Sequence, residues 1–250
     1  MNAPIQIART TTSQVLGLRR LIGLGILTMV PGVTVFLSTA RASPTSRLDV
    51  FMGITVGFFF SVVVPVVALV LAASALGDER RDQTLSFIVL RPISRISLAA
   101  AKIIGATAAS WVVVALGGLA LGIAMGVRHG DWGYLIPLIL GACIAATVYA
   151  AIFVPLGYLS ERATLAGLAF AFIWEGAVVG AIGALASLSP WRIGFSAFAA
   201  LVPSEALAFV PDFALGNVVP GAGGAAAKAV VALAVGVWLT AWILRSRDLV

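Results

Sequence analysis

The stretch Gly77–Lys102, GDERRDQTLSFIVLRPISRISLAAAK, decides how this chain is read. It carries five of the 16 Lys and Arg residues (Arg80, Arg81, Arg91, Arg95 and Lys102) and three acids, Asp78, Glu79 and Asp82. Long apolar runs flank it on both sides. A charged interruption of this kind lies outside a bilayer, on the side that collects Lys and Arg. Within it sits an apolar piece, Leu85–Leu90, in which Leu85, Ile88 and Val89 share a helix face by i, i+3, i+4 spacing while Phe87 and Leu90 widen that face. Glu79, Arg80, Arg81 and Asp82 can supply polar contacts at its rim, which favour orientation more than raw affinity. Read from the residues alone, such an amphipathic helix fits a lipid headgroup layer and a protein cleft equally well.

Working outward, the 250 residues are 61% hydrophobic and 10% charged, with a mean hydropathy of +1.09. Soluble domains are about half apolar and about a quarter charged, so the composition implies an all-α integral membrane protein. A spanning helix needs roughly 20 mostly apolar residues. Six runs qualify: Leu21–Ala40, Met52–Leu76, Ile103–Gly126, Tyr134–Leu159, Leu165–Leu188 and Ala225–Leu244. They are continuous rather than alternating, which argues against a β-barrel. Eleven basic residues fall on the side of the Gly77–Lys102 loop, against Arg41, Arg47, Arg128, Arg192 and Lys228 on the other. That bias places the loop and both termini in the cytoplasm. The net charge of +6 is thereby a topological signal, and no nucleic-acid partner is expected.

Residues 1–20 are expected to form an interfacial helix leading into the first span. Arg19-Arg20 ahead of an apolar run, with Ala40-Arg41-Ala42 after it, has the outline of a cleaved signal, yet the run is long enough to be kept as a span. Arg41–Asp49, containing Pro44, is expected to be an external turn. Pro65 should kink the second span, and Gly118, Gly122 and Gly126, four apart, should let another helix approach closely. Residues 189–224 combine Trp191, Phe195, Phe198, Leu201, Phe209 and Phe213 with four prolines, which predicts short helices in the outer interface or a re-entrant piece. The whole chain, 1–250, is expected to be one membrane domain.

Several chemistries lack their residues. A phosphate-binding loop needs Gly-Lys followed by Ser or Thr, whereas Lys102 and Lys228, the only lysines, both follow Ala. The chain is therefore not expected to hydrolyse ATP. One His and one Cys leave no zinc-type ligand set, and lone Cys143 allows no internal disulfide. Ser196, in Gly194-Phe-Ser196-Ala, would need His129 as its base, and His129 is expected in a different loop. Glu175 is the one acid well inside a span. A carboxylate there must face protein or water, so it is a candidate for the translocation path, for a fixed interhelical hydrogen bond, or for a position near the interface.

The run VVVPVVALVLAASALGDERRDQTLSFIVLRPISRISLAAAK, 62–102, resembles permease subunits of ABC-2 type (type V) ABC exporters. In that family a Pro-containing second span ends in a Gly/Asp/Glu cluster, followed by Thr-Leu, an apolar helix, Pro-x-Ser-Arg and a Lys. Here those positions are Gly77, Asp78, Glu79, Thr84, Leu85, Pro92, Ser94, Arg95 and Lys102. The basic helix before the first span, Ser160-Glu161-Arg162, Trp174-Glu175 and the closing Arg245-Ser-Arg247-Asp248-Leu are similar too. Gln83 departs from the pattern, standing where a glycine commonly precedes Thr-Leu.

The resemblance implies six transmembrane helices and a coupling helix, in the 77–102 loop, that sits in a cleft of a separate ATPase subunit. It implies a non-enzymatic permease of a bacterial cytoplasmic membrane exporter, working as a dimer, expected to be a homodimer, with two ATPase subunits that bind the ATP and Mg. The docking residues are then Glu79, Thr84, Leu85, Phe87, Ile88, Leu90, Pro92, Arg95, Glu161 and Arg162, with Phe87 and Leu90 as anchors that Glu79 and Arg95 position. The apolar interior favours a hydrophobic or amphiphilic substrate. An ATP-independent carrier or channel is the alternative, and it calls for several buried ionisable residues where only Glu175 qualifies. A lipid-modifying enzyme would need clustered carboxylates or a His-based site, which the sequence lacks.

Overall fold

The computed structural model describes residues 3–83, 93–160, 162–178, 187–210 and 221–246. Of these, 90% are helical and none forms a strand. Helix α1 is Ala3–Val15, and α2, Leu18–Ser38, follows after a break at Gly17. Then come α3, Pro44–Arg81, α4, Arg95–His129, and α5, Trp132–Leu159, whose first turn is a 3₁₀ turn. Helix α6 begins as Ala163–Ala169 and continues as the π-helical Phe170–Val178. Two short helices, α7 (Pro190–Leu201) and α8 (Ser204–Leu207), precede α9, Ala222–Ser246.

Five of these helices, α2 to α5 and α9, are long and apolar enough to cross a membrane, and α6 is shorter, with an apolar part of Ala163–Glu175. The expected fifth span, Leu165–Leu188, is therefore seen as a helix in its first half, while 179–186 lie outside the described residues. The chain is a multi-pass helical membrane protein.

The expected turn at Arg41–Asp49 is corrected. Pro44 starts α3 rather than breaking the chain, because a proline at the first helical position gives up only an N–H that has no intrahelical partner. Ser43 caps that end by accepting the Ser46 N–H at 3.3 Å. Farther along α3, the backbone ahead of Pro65 is π-helical over Thr55–Val63. A wider turn accommodates a ring that would otherwise press on the preceding carbonyl. Ser61 Oγ donates to the Val56 carbonyl at 2.6 Å within this stretch.

Helices α4 and α5 form the middle of the bundle and pack on each other and on α2, α3, α7 and α9. The glycine stripe of α4 serves the close approach that its spacing suggests. A Cβ on Gly118 would lie 3.2 Å from Ile139, one on Gly122 2.5 Å from Leu135, and one on Gly126 2.4 Å from the Trp132 ring. Helix α1 docks one face on α4, burying Thr11 and Val15, and the Thr12 hydroxyl donates to the Gly105 carbonyl at 3.0 Å. Pro190 to Ala199 of α7 are all buried, with Phe195 and Phe198 edge-on or tilted against Phe60 of α3 at centroid distances of 5.8 and 5.7 Å. Protein thus surrounds α7 up to its last two residues, Ala200 and Leu201, which are exposed.

Basic residues from the two groups are found at opposite ends of the bundle. At one end lie Arg20, Arg80, Arg81 and Arg162. At the other, Arg47 pairs with Asp131 at 3.5 Å and Arg128 lies over the Phe36 ring at 4.8 Å.

Candidate functional site

The last turn of α3 distributes its charges among three neighbouring helices. Asp78 accepts from Arg20, on α2, at 2.7 Å and also pairs with Arg81. Glu79 pairs with Lys102 on α4. Arg80 donates to the Tyr158 carbonyl of α5 and lies 5.6 Å over the Tyr158 ring. Four successive residues, spaced by about 100° on a helix, necessarily point in different directions, and here most of those directions meet a helix.

The Glu79–Lys102 pair is the buried one. The side chain of Lys102 is 2% exposed and that of Glu79 13%, whereas Arg20 and Asp78 remain about a third exposed. The pair joins the end of α3 to α4 across the intervening loop. At the loop's start, Gln83 has φ 56°, the only positive φ at a non-glycine among the described residues. Left-handed backbone of this kind favours glycine, which fits the glycine that the family resemblance leads one to expect here. At the loop's far end, Ser94 caps α4 by accepting the Ser97 N–H at 3.1 Å, and Arg95 is the first helical residue.

Of the expected docking residues, Thr84, Leu85, Phe87, Ile88, Leu90, Pro92 and Glu161 lie outside the described residues. Glu79 is turned inward onto Lys102. Arg162 is exposed at the start of α6, with its N–H donating to Ser160 Oγ at 3.2 Å. Sequence reasoning missed the partner of Glu79. The available signal was Lys102 itself, a lone cation between Ala99–Ala101 and Ile103, a setting that buries a charge and so requires a partner.

Glu175, in the π-helical part of α6, is a second polar centre. Its carboxylate accepts from the Tyr149 hydroxyl at 2.9 Å, from the Ser189 hydroxyl, and from the Trp191 N–H at 3.5 Å. Ser189 and Trp191 belong to the start of α7, so the carboxylate ties α6 and α5 to that helix. A column of rings runs beside it: Tyr149 stacks on Phe153, Phe153 meets Phe170 edge-on, and Phe170 stacks on Trp174 at 5.9 Å. Ser196 accepts the Gly221 N–H at 3.1 Å, while His129 bonds Thr39 at 2.9 Å. Ser196 and His129 thus engage different partners.

The family model of ABC-2 family transporter proteins matches residues 18–186, from the first residue of α2 through the charged loop and α6. This chain belongs to the ABC-2 transporter family. It is accordingly the permease, the membrane subunit of an ABC transporter, and the family's usual partners are separate ATPase subunits. Helices α7 to α9 lie beyond the matched region of the permease. No curated protein matches the chain.

Proposed function

We propose that the permease is the membrane half of an ATP-driven exporter of the bacterial cytoplasmic membrane, in which the 77–102 loop docks on a separate ATPase subunit and carries its nucleotide cycle into the bundle. The buried Glu79–Lys102 pair is the observation that carries this reading. It ties the helix entering the loop to the helix leaving it, so a push on the loop moves α3 and α4 together instead of spreading them. A lipid-seated helix has no need of such a brace.

In this reading two permeases, identical copies by expectation, work with two ATPase subunits that hold the ATP and Mg. Closure of the ATPases shifts the population between inward- and outward-open dimers. Both termini lie on the ATPase side, with α1 against α4 near the loop, and α7 is a re-entrant helix, a reading that the burial of Pro190 to Ala199 supports. A hydrophobic or amphiphilic substrate suits the apolar bundle. Glu175 belongs to the wall of the path as an anchor for α7. Its three donors count against the proton-shuttling role that an ATP-independent carrier would need.

Co-purification tests the docking. Phe87→Asp together with Leu90→Asp should abolish recovery of the ATPase with the tagged permease while leaving the permease in the membrane. Undiminished recovery would overturn the assignment.

A further inference from the structure

At the loop end of the bundle is a cavity of about 650 Å³. Its walls come from the start of α2, the last turns of α3, the end of α5 and the start of α6. Arg20, Arg80, Arg81 and Arg162 all line it, and no acid does among the described residues. Asp78 lies beside it and offsets one charge by binding Arg20 and Arg81. Glu79 is turned to Lys102 on α4. Among the described residues, four guanidinium groups line the cavity and one carboxylate, Asp78, pairs with two of them, so positive charge is in excess there.

Three of these side chains are also held in place. Asp78 fixes Arg20 and Arg81, and the Tyr158 carbonyl and ring fix Arg80. Arg162 has no ion-pair partner among the described residues. Beneath them the wall is neutral and close-packed, because α3 and α5 meet there at Gly77 and Gly157, where a Cβ on Gly157 would fall 2.1 Å from the Ala73 carbonyl. Ser74, Ser160 and Thr164 add hydroxyls to the lining. Planar forks with fixed directions and a surplus of positive charge match the oxygens of a phosphate group, which arginine binds in pairs of parallel hydrogen bonds.

We infer that this cavity is a binding site for a phosphate-bearing anion, the headgroup of an anionic lipid of the surrounding leaflet. The lipid source rests on the proposed topology, which sets the cavity at the depth of the cytoplasmic headgroups. Basic pockets between spanning helices on that side are suited to anionic lipid heads. Free phosphate offers the same chemistry and is the other source.

The test uses the full permease without its ATPase, so failure of the docking proposal leaves it intact. The permease is placed in nanodiscs of phosphatidylcholine with a minor fraction of phosphatidylglycerol, and the lipid retained after detergent extraction is quantified by native mass spectrometry. Phosphatidylglycerol is expected to be retained over phosphatidylcholine. Arg162→Gln, which breaks no ion pair among the described residues, should cut that retention about tenfold, the effect of one charge-assisted hydrogen bond. Arg128→Gln, at the opposite end, should leave it unchanged. Inorganic phosphate at millimolar concentration, added to pure phosphatidylcholine discs, distinguishes the sources. Thermal protection there, lost in Arg162→Gln, identifies a phosphate site fed from solution and supports the site while replacing the lipid. Retention equal for both lipids with no phosphate protection would overturn the inference. So would an equal loss in Arg128→Gln, or an Arg162→Gln variant that keeps its lipid in full.

Discussion

Replacing Lys102 by Met removes the cation paired with the buried Glu79 carboxylate, and the consequence can be worked from the geometry. The pair is in hydrogen-bond contact, with Lys102 2% and Glu79 13% exposed. Two unit charges roughly 3 Å apart attract by about 5 kcal/mol at an effective dielectric near 20. Desolvation of both ions takes back much of this, so the pair adds little net stability, but removal of one partner strands the other at a cost of about 3–5 kcal/mol. Lys102→Met is therefore expected to destabilise the purified permease by about that amount, and Glu79→Gln with Lys102→Met together by much less, since no buried charge is left. Chemical denaturation of the four proteins of this cycle, followed by tryptophan fluorescence in one detergent, measures the coupling directly. The double variant separates stability from transmission: it should fold well yet stimulate the ATPase poorly, because nothing then braces α3 against α4. A Lys102→Met protein as stable as the parent, or a double variant that loses the sum of the two single losses, would refute the reasoning.

Gln83, at φ 56°, should accept Gly with a stability change near zero, whereas Gln83→Val should cost about 1–2 kcal/mol, the price of a left-handed residue with a branched side chain; denaturant midpoints of the two variants check the order. Glu175→Ala should cost about 1–3 kcal/mol by leaving the buried Tyr149 hydroxyl without an acceptor, and Glu175→Gln less. Transport lost in Glu175→Gln at unchanged thermal stability would instead assign the carboxylate a direct role in the path. Gly157→Ala should lose about 1–3 kcal/mol, because its Cβ meets backbone 2.1 Å away, while Gly23→Ala, with open space around it, should be neutral or stabilising when both are melted side by side. Exchanging the neighbours, Glu79→Arg with Arg80→Glu, keeps the composition but sets Arg beside buried Lys102. It should cost at least as much as Lys102→Met, and a swap with parental stability would show that charge content rather than direction matters there.

The helices were legible because lipid imposes long apolar runs, and five of the six expected runs are helices of spanning length. Their ends were less so. Pro44 looks like a breaker in sequence, and only the capping bond from Ser46 to Ser43 shows it opening α3. The π-helical stretches at Thr55–Val63 and Phe170–Val178 leave no trace in a 3.6-residue period, since their register depends on neighbours such as Phe60 against Phe195 and Phe198. Glu175 was visible as an acid in a span, but its partner Tyr149 sits 26 residues away and reads as an ordinary core aromatic. The same holds for Asp78 and Arg20, which are 58 residues apart. Counting basic residues by side assigned Lys102 to the loop, although the helix begins seven residues earlier, at Arg95, and carries Lys102 into the bundle.

The charged cluster that marks the loop in sequence is therefore more than a topological signal. Asp78 binds α2, Glu79 binds α4 and Arg80 binds α5, so one helical turn joins three helices at the point where the chain leaves the bundle. A lipid-facing loop needs only net positive charge to stay on its side, and any order of charges would serve. Here the order matters, because each residue has a different partner, and reversing two of them would bury like charges together. The exposed Arg20–Asp78 pair contributes about 0–1 kcal/mol at most, so this turn adds little to overall stability. What it supplies is direction: the base of the loop is joined to α2, α4 and α5 through separate contacts, and guanidinium groups of Arg80 and Arg81 line one cavity with Arg20 and Arg162.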